Sequence, residues 1–197
     1  MLTKIYADNP SEKELDRVAD LLRHDGVVVY PTDGVYAIGC ALDSAKAIAR
    51  LGRIKGSAEH SVSFGSLKQI AEYCRVDNQT FRTLKANLPG AFTFILNASS
   101  RVPSKTLGKR KTLGVRMPDN AIFRALVDRL GCPIASVSVR EDEEEEYMTD
   151  PSLIEERYRN EVDCVIDGGT GSITPSTVVD LTGAEAEILR EGRGELI

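Results

Sequence analysis

The spacing of apolar residues predicts helices and strands along the whole chain. Over residues 12–24 the apolar side chains recur on one face of a helix, and Ser11 with Glu14 has the spacing of a capping box. The run 27–30 is uniformly apolar, as in a buried strand, and Pro31 ends it because proline cannot donate to a central ladder. The same criteria predict helices over 44–54, 67–74, 79–88, 119–130 and 151–159, and strands over 61–64, 91–96, 112–117, 133–139, 162–166, 176–181 and 186–190.

The order of these elements favours one α/β (α+β) domain over residues 1–197. Helices and strands interleave without strict alternation, and the late strands follow one another, as in a mixed sheet with helices on its faces. No linker and no internal repeat divides the chain. The segment near 140–150 is expected to be a flexible excursion, because residues 141–146 are all acidic.

Composition excludes a membrane-spanning protein and a disulfide-stabilised one. No apolar run approaches the roughly 20 residues that a membrane span needs. The four cysteines are scattered in apolar contexts without a Cys-x-x-Cys pair, so we expect buried thiols, a reducing compartment and a cytoplasmic protein. With only two histidines, a zinc site would have to be assembled from isolated ligands, so the sequence predicts no zinc site and assigns no metal-ligating residue.

Charge is distributed unevenly along the chain. The formal net charge is −5, which argues against a surface covered with phosphate-binding cations. A basic loop over 99–111 nevertheless contains Lys105, Lys109, Arg110 and Lys111. This loop is either a solvated basic segment or a local surface for RNA.

Several polar groups lie where strands and helices end. The turn 31–36 carries a hydroxyl, a carboxylate and a tyrosine, which could form a small-molecule site, but these residues alone favour an ordinary turn with polar caps. Lys55, Arg116 and Arg190 are cations at element ends, which favours an anionic ligand such as a nucleotide or a carboxylate. The glycine-rich loop 167–175 lacks the Gly-Lys-Ser/Thr end of a P-loop, and is either a set of backbone donors or a tight connection.

Six short segments, in order along nearly the whole chain, resemble the YrdC/YciO family of threonylcarbamoyl-adenylate synthases and their relatives. They are Pro31-Thr32-Asp33 with Val35-Tyr36, Leu88-Pro89-Gly90 with Thr93, Val115-Arg116-Met117-Pro118, Pro133 with Ser136-Val137-Ser138, Pro175-Ser176-Thr177-Val178-Val179-Asp180 and Ile188-Leu189-Arg190-Glu191-Gly192.

The resemblance implies a twisted open mixed sheet around a large, positively lined cavity. It also implies a synthase that uses ATP, L-threonine and bicarbonate, with Mg²⁺, to make threonylcarbamoyl-adenylate and pyrophosphate for transfer RNA modification. Carried over by position, the expected catalytic residues are Lys55, Arg116 and Ser138. The expected substrate-binding residues are Thr32, Tyr36, Thr93, Asn120 and Ser176, and the expected nucleotide-binding residues are Lys55, Arg116, Arg140 and Arg190.

The chain also departs from the synthase pattern. Ser57 stands where the synthases have an arginine, and Arg140 stands where their Ser-x-Asn motif has its asparagine. Gly34 and Asn120 replace a threonine and a histidine. The pattern is closer to the YciO-like branch. A synthase is therefore the first expectation, and the alternative is a nucleotide- or double-stranded-RNA-binding relative with little or no synthase activity.

Overall fold

In this computed structural model, residues 1–56, 60–139 and 144–197 are described, without the side chain of Lys55. Their strands are β1 Leu2–Lys4, β2 Val27–Tyr30, β3 Ala37–Ala41, β4 Ser61–Ser63, β5 Gly90–Asn97, β6 Thr112–Met117, β7 Ile134–Ser138, β8 Cys164–Asp167, β9 Thr177–Asp180 and β10 Glu187–Arg190. Their helices are α1 Glu12–Arg23, α2 Ala45–Lys55, α3 Leu67–Tyr73, α4 Asn78–Asn87, α5 Ser104–Leu107, α6 Ala121–Leu130, α7 Glu146–Thr149 and α8 Pro151–Tyr158.

All the strands of the described residues belong to one mixed sheet. Its order is β1-β8-β2-β3-β7-β4-β6-β5-β9-β10. The pairs β1–β8, β2–β8, β4–β6 and β5–β9 are parallel, and the other neighbours are antiparallel. The expected α/β (α+β) class, with a mixed sheet and flanking helices, is confirmed.

Side-chain caps fix where the helices begin. The Ser11 side chain accepts from the Glu14 N–H at 3.5 Å, as the predicted capping box requires. Ser44 does the same for α2, accepting from the Ala47 N–H at 3.0 Å. Gly56 ends α2 in the left-handed conformation with φ 76°, which a residue with a side chain adopts at a cost.

Apolar side chains cover both faces of the sheet. The two faces of β2 differ, because Val28 and Tyr30 pack with α1 and α6, whereas Val27 and Val29 belong to the other core cluster. All four residues are fully buried. The uniformly apolar run in the sequence therefore reflects a central strand covered on both sides.

The predicted elements are present, with boundaries shifted by a few residues, but four short elements lie outside the sequence prediction. These are β1, β3, α5 and α7. In β3, Gly39 is required by its neighbours, since a Cβ there would lie 2.5 Å from Ile134 Cγ2 and 2.9 Å from Tyr30 Cε1. Part of the expected acidic excursion is ordered as α7, with Met148 buried; residues 140–143 are outside the described part.

Among the described residues, the helices are too short or too polar to cross a bilayer.

Candidate functional site: an arginine-lined cavity

A cavity of about 420 Å³ opens on one face of the sheet between β4, β5, β6, β7, β9 and β10. The strands supply it with alternate residues, as shown by Thr112, Gly114 and Arg116 in β6. Its described lining is polar, with several hydroxyl groups and no carboxylate. The lining residues are His60, Ser61, Thr93, Ile95, Arg110, Thr112, Gly114, Arg116, Ser136, Val137, Ser138, Ser176, Val178 and Arg190.

Arg116 is the most buried cation of the cavity. It is 6% exposed, and its Nη2 lies 3.9 Å from Asp33 Oδ1, beyond hydrogen-bonding distance. Arg116 Nε and Asp33 Oδ1 are both buried without a hydrogen bond. The other oxygen of Asp33, Oδ2, accepts from the Asp119 N–H at 2.8 Å. Because Arg116 forms no hydrogen bond with its counter-ion Asp33, its guanidinium can bind an anionic ligand without first breaking such a bond.

The other two arginines are held by main-chain carbonyl groups. Arg190 Nη2 donates to Ser176 O at 2.8 Å. Arg110 Nη2 lies 3.3 Å from His60 O and 3.4 Å from Thr106 O. Within the described ranges, neither arginine forms an ion pair with an acidic side chain. Their positive charge therefore remains available to a ligand.

Hydroxyl groups connect the strands beneath and beside these cations. Thr93 Oγ1 in β5 and Ser176 Oγ, just before β9, are 2.8 Å apart. A second set runs inward from the cavity, with Ser61 Oγ 3.4 Å from Ser136 Oγ and Ser136 Oγ 3.1 Å from Ser63 Oγ. Tyr30 donates to Ser63 Oγ at 3.2 Å, and burial raises the pKa of Tyr30.

The structure brings five of the sequence-predicted site residues together in this cavity. They are Thr93, Arg116, Ser138, Ser176 and Arg190. They come from β5, β6, β7, the loop before β9 and β10, so the sheet unites segments that are far apart in the chain. Their roles toward particular substrates stay predictions.

Two other predicted residues, Thr32 and Asn120, have local contacts and do not line this cavity. Thr32 Oγ1 donates to Val35 O at 2.8 Å and accepts from the Gly34 N–H at 3.0 Å. Asn120 caps α6, where its Oδ1 accepts from the Phe123 N–H at 3.0 Å. These contacts stabilise a turn and a helix terminus, and the assignment of both side chains to a substrate stays a prediction.

Tyr36 is buried against the glycine-rich loop. Its hydroxyl donates to Gly169 O at 2.7 Å and accepts from the Gly168 N–H at 3.1 Å. Burial raises the pKa of Tyr36 to about 12. The Gly171 N–H bonds to Thr149 O at 2.8 Å. The Gly169 N–H donates to Asp167 Oδ1 at 2.9 Å. The N–H groups of Gly168, Gly169 and Gly171 are therefore all engaged within the protein, so the loop acts here as a connection that packs on Tyr36, and its role as an anion cradle is not supported.

The remaining predicted residues fall outside what the structure describes. Lys55 is the last residue of α2, but its side chain is not described. Ser57 and Arg140 lie outside the described residues. Their expected placement at the cavity stays a prediction.

Arg110 and His60 are cavity residues that the sequence did not reveal as such. Arg110 is in the loop that was interpreted as a basic surface segment, yet its side chain turns into the cavity. The available signal was periodicity, because Arg110 continues the alternation of Thr112, Gly114 and Arg116 by one more step of two.

The described residues offer few ligands for a metal ion. No group of three or more His, Cys, Asp or Glu residues there is placed to hold a metal. Mg²⁺ is usually held in proteins by one or two carboxylates together with substrate phosphates. The described cavity lining offers no carboxylate, so it does not fit the expected Mg²⁺ as a protein-held ion.

Comparisons with known proteins identify relatives along the whole chain. The model of the Sua5/YciO/YrdC family, described as "Telomere recombination", matches residues 20–192. "Uncharacterized protein YciO" of Escherichia coli K12 is 38% identical over 196 residues, covering 98% of this chain and 95% of that protein. The threonylcarbamoyl-AMP synthase of Vibrio vulnificus YJ016 is 27% identical over 185 residues, covering 90% and 98%.

Solved structures agree with the sequence relatives. The crystal structure of E. coli YciO superposes with a TM-score of 0.92 at 38% identity, covering 99% of this chain and 97% of that chain. Sua5 of P. abyssi complexed with L-threonine gives a TM-score of 0.86 at 25% identity, covering 98% of this chain and 57% of the longer Sua5 chain. The chain therefore belongs to the Sua5/YciO/YrdC family, and it is more similar to E. coli YciO than to the V. vulnificus synthase or to P. abyssi Sua5.

Proposed function

We propose that this protein is a threonylcarbamoyl-AMP-synthase-like enzyme. It forms threonylcarbamoyl-AMP and pyrophosphate from ATP, L-threonine and bicarbonate, and the product serves transfer RNA modification. The observation that carries the proposal is a cavity lined by three arginines and, among its described residues, by no carboxylate. Such a lining selects for a ligand with several negative charges.

The names of two relatives support the choice of substrates. The V. vulnificus relative is a threonylcarbamoyl-AMP synthase, and the P. abyssi Sua5 structure was obtained with L-threonine. The cavity volume of about 420 Å³ lies within the range of roughly 300–1,000 Å³ that is usual for small-molecule sites.

The proposed chemistry needs charge stabilisation more than it needs a protein nucleophile. The threonine amine bonds to the bicarbonate carbon, and loss of water leaves a carbamate. A carbamate oxygen then attacks the α-phosphorus of ATP, the bond to the bridging oxygen breaks, and pyrophosphate leaves with the electron pair. Negative charge on the phosphate oxygens is shared with fixed arginine N–H donors, whose attraction strengthens as that charge develops.

The five predicted residues that line the cavity each have a proposed part in this reaction. Arg116 and Arg190 hold the phosphates of ATP. Ser176 and Thr93, whose hydroxyl oxygens are 2.8 Å apart, hold threonine at the neighbouring wall. Ser138, at the end of β7, completes the lining opposite them.

Pyrophosphate release tests the proposal. Wild-type protein with ATP, L-threonine and bicarbonate is compared with mixtures that lack one substrate, and Arg116→Ala serves as the active-site control. We expect release only in the complete mixture and its loss in the variant. Release that continues unchanged without threonine would refute the synthase assignment.

A second candidate function is binding of a nucleotide or double-stranded RNA with little or no turnover. The observation that favours it is a groove of about 340 Å³ beside the cavity, lined by three cations, Arg75, Arg110 and Lys111. Lys105 and Lys109 are exposed nearby. Because phosphate contacts release counterions, such a complex would weaken steeply with salt. A gel-shift titration at low salt that gives no complex would exclude RNA.

A further inference from the structure

The segment that follows β10 continues directly from a cavity residue. β10 ends at Arg190, which lines the cavity and donates from Nη2 to Ser176 O at 2.8 Å. Residues 191–197 come next and are called the strap. Positions 192, 194 and 196 of the strap are half-buried while the positions between them are exposed, so alternate residues face the protein. The strap therefore packs against the rest of the molecule beside a cavity arginine.

Thr177, the first residue of β9, joins the near end of the strap to the sheet. The residue is 2% exposed, and its Oγ1 accepts from the Gly192 N–H at 3.1 Å and donates to Gly194 O at 2.6 Å. The Arg193 N–H between them donates to Pro175 O at 2.9 Å. A single buried hydroxyl thus makes two of the hydrogen bonds that hold the strap.

The rest of the strap is also attached. Asn87, at the end of α4, is buried; its Oδ1 accepts from the Ile197 N–H at 3.0 Å and its Nδ2 donates to Ile197 O at 3.3 Å. Leu196 packs against the hydrophobic core. At Gly192 the strap approaches the loop before β9 so closely that a Cβ would lie 2.4 Å from Pro175 O. The strap is therefore fixed by specific contacts at both of its ends.

These contacts matter for Arg190 because side-chain packing does little to fix it. β10 is the last strand in the order of the sheet, it pairs with β9, and its four residues are all exposed. An arginine side chain has several rotatable bonds, and ordering it on binding weakens affinity. A main chain that is held immediately after Arg190 restricts where its guanidinium can lie. The described lining of the cavity does not include Thr177, so its hydroxyl acts on a ligand only through neighbouring residues.

We propose that Thr177 is a positioning residue, which acts through the strap to hold Arg190 in place for the anionic ligand of the cavity. The inference rests on the proposed function, since ATP is the ligand assigned to Arg190. An arginine that is already ordered binds a phosphate more tightly than a mobile one. Thermodynamic linkage requires the reverse effect as well, so the ligand strengthens the attachment of the strap by the same factor.

A pair of substitutions separates the hydroxyl of Thr177 from its packing. Thr177→Val keeps the shape and removes the hydroxyl, whereas Thr177→Ser keeps the hydroxyl and removes a buried methyl group. In calorimetric titration, Thr177→Val should bind ATP about five- to tenfold more weakly than wild type, the factor that corresponds to one net hydrogen bond. Thr177→Ser should bind ATP within about twofold of wild type, although the lost methyl group lowers its unfolding temperature.

Gly192→Ala tests the strap from its own side, and it replaces Thr177→Val if that variant does not fold. Its Cβ would collide with the main chain at Pro175, so ATP affinity should fall by a similar factor. Gly183→Ala is the matched control. It makes the same change on the other side of β10, where the nearest atom, Glu185 O, is 3.8 Å from the added Cβ. This control should bind ATP like wild type.

Hydrogen exchange of residues 191–197, followed by mass spectrometry, supplies the reciprocal measurement. Saturating ATP should slow exchange in the strap of the wild-type protein about five- to tenfold and leave the loop around Gly183 unchanged. A strap that only stabilises the fold would exchange at the same rate with and without ATP.

The inference is overturned if both Thr177 variants lose ATP affinity equally, if Thr177→Val binds ATP like wild type, or if ATP does not change exchange in the strap. Absence of ATP binding by the wild-type protein would refute the inference and the proposed function together. If ATP binding depends on the Thr177 hydroxyl but no threonine-dependent pyrophosphate release occurs, the role of the strap stands and the synthase function fails.

Discussion

The pair Asp33–Arg116 gives the sharpest mutational prediction, because it is buried and yet loosely joined. The side chains are 12% and 7% exposed, and the nearest charged atoms are 3.9 Å apart. Replacing Asp33 by asparagine removes the counter-charge of Arg116 with little change in shape. The amide oxygen of an asparagine can still accept from the Asp119 N–H, as Oδ2 of Asp33 does at 2.8 Å.

The size of the effect follows from the distance. At an effective dielectric constant of about 20, two unit charges at this separation attract by about 4 kcal/mol. Part of that is recovered as the site relaxes and water enters, so we expect Asp33→Asn to lower the free energy of unfolding by about 2–4 kcal/mol. For a chain of this length the unfolding midpoint then falls by roughly 5–15 °C.

Ligand binding should respond in the opposite direction. An anion replaces the missing counter-charge of Arg116, so ATP, whose phosphates Arg116 is proposed to hold, should bind the variant about tenfold more tightly than wild type. The stabilisation at saturating ligand should be larger in the variant for the same reason. The assay is thermal unfolding followed by scanning calorimetry, with and without ATP, together with calorimetric titration of ATP.

Asp119→Asn is the matched control for this experiment. Asp119 pairs with Arg124 at 2.8 Å, but its side chain is 62% exposed, so the loss should cost less than about 1 kcal/mol. An unchanged midpoint in Asp33→Asn would refute the view that Asp33 neutralises Arg116. Weaker anion binding in that variant would show that Asp33 orients the arginine for the ligand, and the reasoning from charge would be wrong.

Three further predictions follow, two from the structure and one, on Ser57 and Arg140, from the sequence. Arg116→Ala and Arg190→Ala should each weaken ATP binding roughly tenfold or more, since a hydrogen bond to a charged group contributes about 1.5–3 kcal/mol; unchanged affinity by calorimetry in both would exclude this nucleotide site. Ser57→Arg combined with Arg140→Asn should raise threonine-dependent pyrophosphate release above wild type, because one positioned donor is worth ~3–4 kcal/mol in a transition state, whereas Arg140→Asn alone should leave the release rate unchanged or reduce it. A fall in the double variant would show that Arg140 already supplies the missing charge. Gly39→Ala should lower the free energy of unfolding in urea by about 1–3 kcal/mol, because its Cβ would lie 2.5 Å from Ile134 Cγ2; Gly114→Ala, whose Cβ would lie 3.2 Å from Thr93 Cγ2, should lower it by less. Equal midpoints for Gly39→Ala and wild type would contradict the packing around β3.

Local signals explain which elements could be predicted from the sequence. Helix α1 has an amphipathic face and a capping box, and β2 is a continuous apolar run, so both are specified by neighbouring residues. Strand β3 has the sequence Ala-Ile-Gly-Cys-Ala, whose small residues carry little strand preference. It is a strand because β2 and β7 pair with it on both sides, and that is a tertiary cause.

The site shows the same division between local and tertiary information. Arg116 and Arg190 were predicted because they end strands in segments that resemble a family, and both line the cavity. The loop that contains Arg110 has the composition of a surface segment. Only the path of the chain beside β6 turns that arginine inward, away from the exposed Lys109 and Lys111. Conversely, Asn120 was assigned to substrate binding from the resemblance, whereas in the structure its side chain caps α6. An asparagine just before an apolar helical run is a common N-cap, so the sequence was compatible with this contact but did not require it.

The most direct test of the account is transfer of isotope-labelled bicarbonate carbon into threonylcarbamoyl-AMP by the wild-type protein, followed by chromatography and mass spectrometry. We predict a labelled product that requires both ATP and L-threonine and disappears in Arg116→Ala. ATP binding at the cavity without any labelled product would contradict the synthase assignment.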